Sequence, residues 1–327
     1  MKPVPPQVEP TFLPGIALEK RGKVCELYDI PGWPVLRLKV ISDRASVHDI
    51  ILPFHIPGKG KVLNFIDDWW RRQMPHIEHD VAALGPEIDA YLPQHLRDNP
   101  DLHQRARVIK AHQALEVELI YRWLLTGTGL TQYKEKNGFV CGQKLPDGLR
   151  EWDELNPSVA TPTTKDEEGH DEAMDLSECI ARFGLKTIAL TYPLFEMGRK
   201  KAADRGVIIA DTKFEVGKDL LDGELDGELV LIDEALTPDS SRYLTPEAVA
   251  EARRTGAKPP SYDKQPIRDY VWKYLGVGPK TPLTEEVIAK VHGHTYPSDL
   301  IAETAARYEQ LLKILTGMNR DEYAATL

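Results

Sequence analysis

Residues Val207 to Arg242 hold the chain's densest set of side chains able to handle a charged ligand. Through Ala210-Asp-Thr-Lys-Phe-Glu-Val216, polar and apolar residues alternate. The period of two in a strand puts Asp211, Lys213 and Glu215 on one face and turns Ala210, Thr212, Phe214 and Val216 toward a core. The apolar run Leu229 to Ile232 follows, ending in Asp233 and Glu234. An acidic, Gly-bearing connection from Lys218 to Gly227 joins the two as a hairpin would. Adjacent strands then gather two carboxylates, an ammonium and a further carboxylate pair. Hard cations want oxygen ligands and lysine neutralises phosphate, so the set suits Mg²⁺ and a polyphosphate. A solvated face with alternating salt bridges fits the same spacing, which does not separate the two.

Other segments carry weaker signals. Arg21-Gly22-Lys23-Val24 precedes a strand, and a glycine between two bases lets backbone N–H groups approach a phosphate; most such tripeptides are plain turns. No Walker A or GxGxxG pattern is present. Ser42-Asp43-Arg44-Ala-Ser46 could recognise a polar anion at a strand end, but an Asp/Ser turn capping its own backbone is the favoured reading. Arg122 precedes Leu-Leu-Thr126-Gly-Thr128-Gly129, and Arg242 follows Thr237-Pro-Asp-Ser-Ser241. Two arginines tied to hydroxyl-rich turns look like two arms of a phosphate clamp; alternatively each pairs with a surface carboxylate. The polar stretch Thr161 to Glu172, which includes His170, reads as an exposed loop that could close over a substrate. No Ser/His/Asp or Cys/His arrangement offers a protein nucleophile.

The elements that must position these groups are mostly visible. Val24 to Ile30 and Val35 to Ile41 read as paired strands around Pro31-Gly-Trp-Pro34. Val62, Phe65, Ile66, Trp69 and Trp70 recur at helical spacing until Pro75. Arg107 to Lys110 and Leu115 to Trp123 read as strands, Pro193 to Arg205 as a helix. Thr126 to Glu172 reads as a long loop region. Thr284 to Val291 and Ser298 to Leu315 form helices, the second stopped by Gly317. Strands and helices are segregated rather than alternating, which predicts α+β and not a Rossmann-type sheet. With 327 residues, 42% hydrophobic, the chain can form two or three domains. A net charge of -10 argues against a general nucleic-acid binder or a membrane-surface protein. Three scattered cysteines and no apolar signal or spanning segment predict a cytoplasmic protein. No stripe marks a subunit interface.

Taken together and in order, these segments resemble SAICAR synthetase. The likeness covers about residues 15–275 and rests on RGKV (21–24), SDRASVHD (42–49), IPGKGKVL (56–63), RWLLTGTG (122–129), TPTTKDEEGHDE (161–172), ADTKFE (210–215), IDEALTPDSSR (232–242) and DKQPIRDY (263–270). The resemblance implies an α+β fold with a small antiparallel β domain, a larger mixed domain and an ATP cleft between them. The expected division is a β-rich domain with the phosphate loop over 15–112, a mixed domain over 113–255 and a helical segment over 256–327. The implied reaction joins L-aspartate to the carboxylate of a carboxyaminoimidazole ribonucleotide, CAIR, with ATP and Mg²⁺, through an acyl phosphate, in purine biosynthesis.

By motif, Gly22 and Lys23 would sit over the ATP phosphates and Lys110 to Leu115 would border the adenine. Lys213 and Glu215 would contact the nucleotide; Asp211, Asp233 and Asp43 would serve metal sites; Lys213, Asp211 and Asp233 would form the catalytic set. Arg122, Thr128, Ser241 and Arg242 would grip the ribonucleotide 5′-phosphate, with Asp43, Arg44 and Ser46 facing the imidazole carboxylate. Lys59, Lys61 and Lys264 are candidates for the aspartate pocket. The chain departs from the family pattern at Cys25-Glu26, Glu116, Leu119, Leu244 and Pro193, the last expected to interrupt a helix. Trp123 replaces a glycine beside the phosphate arginine, where its ring is expected near a substrate site. That change leaves open a paralogous ligase using another carboxylate or amine. A catalytically silent nucleotide-binding scaffold is a third reading, against which the retained Lys213, Asp211 and Asp233 argue.

Overall fold

The computed structural model describes residues 8, 13–165, 172–219, 228–278 and 281–327. The chain forms two compact units: Met1–Ile66, Val81–Ala111 and Tyr262–Leu327 in the first, Asp67–Asp80 and His112–Ser261 in the second. The C-terminal helices thus group with the N-terminal strands, and the end of one helix, from Asp67, groups with the second unit.

The first unit is built on a five-stranded antiparallel sheet, in the order Leu18–Arg21, Cys25–Asp29, Leu36–Ile41, Ala106–Lys110 and Val81–Leu84. The hairpin anticipated around Pro31 is present, with Tyr28 opposite Leu38. Tyr28, Leu38, Val40 and Val108 bury one face against Ile88, Leu92, Leu96 and Leu102. A second hairpin joins Arg44–Val47 to Ile50–His55. His48 and Asp49 turn it with φ of 48° and 66°, the left-handed pair that matches strand twist in a two-residue loop. Its apolar residues Ala45, Val47, Ile50 and Leu52 pack with Ile267, Val271, Leu275 and Val291. The tail helices Glu285–His292 and Ser298–Thr316 lie close to the expected bounds, and Gly317 ends the second in the left-handed conformation at φ 80°. The apolar stripe on Lys59–Gln73 is buried as its spacing requires.

The second unit centres on the long strand Ile208–Asp219, paired antiparallel with Val117–Leu124 and Leu229–Ile232. Glu154–Ala160, Thr163–Thr164, Ser241–Leu244 and His112–Ala114 complete the sheet. The helix Leu185–Asp204 packs on the long strand. Tyr121 ties Val117–Leu124 to it, its hydroxyl 2.7 Å from Thr191 Oγ1 and its ring centroid 5.8 Å from that of Phe195.

Two expectations need correction. The helix begins at Leu185 and runs unbroken through Pro193. Proline removes only one backbone donor, and buried Thr187, Thr191, Leu194 and Phe195 on both sides hold the segment in place. The stretch from Thr126 to Glu172 is also not structureless: Gly127–Glu135 is a helix and Glu154–Ala160 a strand. Residues 166–171, with His170, and 220–227 of the hairpin connection lie outside the described residues.

Candidate active site

Register decides which side chains meet in the second unit. Asp211 lies opposite Arg122, and Lys213 opposite Ile120. Period two therefore gives Asp211, Lys213 and Glu215 the same face as Arg122, Ile120 and Glu118. Arg122 is buried, and its guanidinium is held from three sides. Nε donates to Thr161 Oγ1 at 3.0 Å, NH1 to Asp211 Oδ2 at 2.8 Å and NH2 to Thr128 Oγ1 at 2.8 Å. Arg242 reaches the same carboxylate oxygen, with NH2 at 3.3 Å, and its NH1 donates to Thr126 Oγ1 at 3.4 Å. Burial lowers the Arg122 pKa; Asp211 opposes this and the Arg242 cation adds to it. Among the described residues neither arginine takes a separate surface carboxylate: both converge on Asp211, beside the first turn of Gly127–Glu135. A side chain at Gly129 would press on the Arg122 stem, 3.0 Å from Cδ, which accounts for glycine there.

Further along the strand, Lys213 Nζ donates to Glu118 Oε1 at 2.6 Å and Glu215 Oε1 at 3.2 Å. Lys165 pairs with the other oxygen of Glu215. Burial alone would lower the Lys213 pKa, but the charges of Glu215, Glu118 and Asp233 outweigh it and raise it above lysine's ordinary value. Asp233 follows the strand Leu229–Ile232 with φ 63°, and its carbonyl accepts from Arg71 NH2 at 2.8 Å. Arg71 in turn pairs with Asp67 at 2.7 Å, whose other oxygen accepts the Ala235 amide at 2.6 Å. This buried network fixes the turn that carries Asp233. Among the described residues no three His, Cys, Asp or Glu side chains are arranged as a metal cage. Mg²⁺ commonly takes only one or two carboxylates plus substrate phosphates. Glu215 and Asp233, both acting on Lys213, fit that requirement. Asp211 is engaged by two guanidiniums, as Glu215 is by two ammoniums.

Ser241 is buried, with its hydroxyl 2.6 Å from that of Thr212 on the core-directed face, so it fastens the strand Ser241–Leu244 and is not brought to the arginines. The Trp123 ring does not lie on the Arg122 face either. Consecutive strand residues point to opposite sides, and the ring stacks on the Arg199 guanidinium 4.7 Å away. The ring therefore lies on the opposite side of the strand from Arg122, not beside its guanidinium as expected.

In the first unit, Gly22 closes the turn between Leu18–Arg21 and Cys25–Asp29, its amide 2.8 Å from the Cys25 carbonyl. Lys23 is exposed and pairs with Asp49, while Lys110 ends its strand exposed. Asp43 accepts the Gly58 amide at 3.0 Å and the Gly60 amide at 2.8 Å, capping the entry to Lys59–Gln73. Arg44 is turned inward. It is fully buried, paired with Glu26, and donates to the carbonyls of Lys23 at 3.3 Å and Gly22 at 3.2 Å. It holds the Gly22–Lys23 turn through those carbonyls, and Glu26 is its counter-ion. Burial raises the Glu26 pKa while Arg44 opposes that shift. Ser46 is half-buried within its hairpin. Lys59 and Lys264 are buried, and Lys61 lies 3.0 Å from Asp101.

Glu118 is absent from the sequence reading, and Thr161 and Lys165 enter it only as part of a polar loop, not as partners of Arg122 and Glu215. Alternation puts Glu118 on the Arg122 side of its strand, but only the register against Ile208–Asp219 brings it to Lys213.

Comparison with known proteins bears on this geometry. Residues 18–280 match the family SAICAR synthetase. A phosphoribosylaminoimidazole-succinocarboxamide synthase of Stenotrophomonas maltophilia is 36% identical over 333 residues, covering 98% of this chain and all of the relative. A protein of the same description from Thermodesulfovibrio yellowstonii is 36% identical over 94% of this chain and 97% of its own. Among solved structures, the SAICAR synthase of Saccharomyces cerevisiae complexed with SAICAR superimposes with a TM-score of 0.77 at 30% identity, over 95% of this chain and 98% of that one. A SAICAR synthetase in complex with ADP shares the fold at a TM-score of 0.58 and 17% identity. No described helix is long and apolar enough to cross a membrane. Match length, identity and superposition agree with the motif order, and the chain belongs to the SAICAR synthetase family.

Proposed function

We propose that this chain is a cytosolic ligase that uses ATP to join L-aspartate to the carboxylate of CAIR, giving SAICAR. One observation carries the reading to particular residues. One face of the sheet presents two arginines focused on one point and, two residues along the central strand, an ammonium set among three carboxylates. The first feature suits a phosphate monoester, the second a polyphosphate meeting a carboxylate.

A carboxylate does not react with an amine at neutral pH, because oxide would have to leave. Transfer of the γ-phosphoryl group to the CAIR carboxylate makes an acyl phosphate, and the aspartate amine displaces phosphate from it. The protein must therefore align the two anions and offset their charge without supplying a nucleophile. Arg122, Arg242 and Thr128 bind the 5′-phosphate and fix the ribonucleotide along the strand. Lys213, kept protonated by its carboxylate neighbours, draws the γ-phosphate to the imidazole carboxylate. Glu215 and Asp233 would hold Mg²⁺, which supplies charge neutralisation at the transferring phosphoryl group. The first unit has its own proposed roles: Gly22 and Lys23 for nucleotide phosphates, Lys110 for the adenine edge. The Arg44–Glu26 pair keeps the Gly22–Lys23 turn in shape.

The test supplies CAIR, ATP, Mg²⁺ and L-aspartate and follows the succinocarboxamide product. Product formation with matching ADP release is the expected result. ADP release that requires a different acid or amine would instead assign a paralogous ligase, and ATP binding without turnover a silent scaffold.

A further inference from the structure

The carboxylate of Asp211 occupies the point where the two arginines converge. Its Oδ2 lies 2.8 Å from Arg122 NH1 and 3.3 Å from Arg242 NH2. A phosphate oxygen bridging the two guanidiniums would need that position. We propose that Asp211 is an internal counter-ion of the clamp, displaced when a phosphate monoester enters, and that this exchange keeps free phosphate from filling the site at concentrations at which a whole ribonucleotide still binds. The inference rests on the proposed binding of a phosphate by Arg122 and Arg242.

The geometry supports exchange over permanent bridging. The hydroxyls of Thr161 and Thr128 hold Arg122 through Nε and NH2. The guanidinium thus keeps its orientation without Asp211, and NH1 is free to change acceptor. Strand register sets the Asp211 backbone directly opposite Arg122, so its short side chain reaches the clamp at little entropic cost. Once displaced, the carboxylate is not stranded. The next side chain on that face, Lys213, is cationic and about 7 Å along the strand.

A tethered competitor acts on every anion that enters. A ligand that binds only the open clamp has its affinity reduced by the open fraction. Inorganic phosphate has nothing else to offset that loss, whereas a ribonucleotide adds contacts from its sugar and base. Asp211 thereby lowers both affinities by the same factor, and the weaker ligand, free phosphate, is the first to drop below useful occupancy.

The full-length protein should be titrated with inorganic phosphate, and separately with ribose 5-phosphate, by calorimetry. Asp211→Asn, which keeps the shape and removes the charge, is expected to tighten phosphate about tenfold or more, as for a clamp open in at most about a tenth of molecules. Asp211→Glu, which keeps the counter-ion, should stay near the parent. A crystal of the unmodified protein grown in phosphate should show the anion on both guanidiniums and Asp211 beyond ion-pair distance of each. Unchanged or weaker phosphate binding in Asp211→Asn would overturn the proposal, as would a crystal with phosphate bound and Asp211 still bridging. Phosphate binding indifferent to Arg242→Ala would remove the clamp itself, a failure of the proposed function that the other outcomes do not produce.

Discussion

Replacing Lys213 by Met leaves the stem's bulk and removes the ammonium that Glu118 and Glu215 share at 2.6 and 3.2 Å. Breaking a buried ion pair costs about 3–5 kcal/mol, and an exposed one about 0–1 kcal/mol. The Lys213 side chain retains 30% exposure, with Glu118 and Glu215 at 13% and 11%. Water therefore screens part of the loss, and about 2 kcal/mol at pH 7 is the expected cost. The pH dependence has a definite sign. In the native protein the raised Lys213 pKa gives a contribution fully present below lysine's unfolded value and lost only as pH climbs through the folded one, so it is flat near neutrality. In the mutant Glu118 loses this cation while Glu215 keeps Lys165, so the deficit reads the loss of one ion-pair partner at a pH where the carboxylates are charged. Urea unfolding of both proteins at pH 7 and pH 4.5 reads the difference. Turnover adds an independent measure, since loss of a preorganised charge partner costs about 3–4 kcal/mol, or roughly a hundred- to a thousandfold in kcat. Equal urea midpoints at both pH values with near-parent kcat would refute the assignment of Lys213 as the charged centre of this face.

Arg242→Ala should raise KM for CAIR about 10- to 100-fold through loss of charge-assisted hydrogen bonds while kcat changes little; steady-state kinetics with an unchanged KM would remove the clamp. Trp123→Gly should leave the KM for CAIR within about twofold and lower stability by about 2–4 kcal/mol in urea, because the ring packs on Arg199 and not beside Arg122. A large KM change with stability intact would put the ring back at the substrate. Glu26→Gln should cost about 3–5 kcal/mol at pH 7, since it leaves the buried Arg44 guanidinium without its counter-ion. A smaller loss in the double variant Glu26→Leu/Arg44→Met would separate charge burial from packing.

What could be read from the residues divides along a physical line. Local periodicity was legible: alternation through residues 210–216 gave the face of Asp211, Lys213 and Glu215, and helical spacing gave Lys59–Gln73 and Ser298–Thr316. Pairing between distant segments was not. Glu118 meets Lys213 because Val117–Leu124 adopts one register against a strand some ninety residues later, and a shift of one residue would turn Glu118 to the other side. Arg44 shows the same limit. An arginine between Asp43 and Ser46 reads as a ligand contact until Glu26, eighteen residues earlier, is found beside it. The reading of a turn capping its own backbone describes Ser42, whose hydroxyl accepts the Arg44 amide at 3.3 Å, but not Asp43, which accepts two amides from a helix entrance fifteen and seventeen residues on. The helix Gly127–Glu135 was hidden by composition, because its glycines suggest a loop while the close fit of Gly129 to Arg122 is what requires one of them.

The strand Ile208–Asp219 joins two kinds of site through its geometry. Alternate residues on one face lie about 7 Å apart, so Asp211 and Glu215 are separated by about 13 Å with Lys213 midway. On the proposed function, a ribonucleotide laid along this face has its phosphate at the arginine end and its carboxylate near Lys213, where the nucleotide's terminal phosphate must also come. The sheet then acts as a ruler: hydrogen bonds to Val117–Leu124 and Leu229–Ile232 keep it straight and fix the distance between phosphate and reacting carboxylate. Shortening or lengthening the ligand between those two groups should therefore lower kcat more than it weakens binding, because either end can still engage while the reacting atoms lose alignment. A CAIR analogue with one extra methylene between ribose and phosphate tests this directly. Inhibition at near-parent affinity with turnover lost at least a hundredfold is the expected result, and unimpaired turnover would show that the strand does not set the spacing.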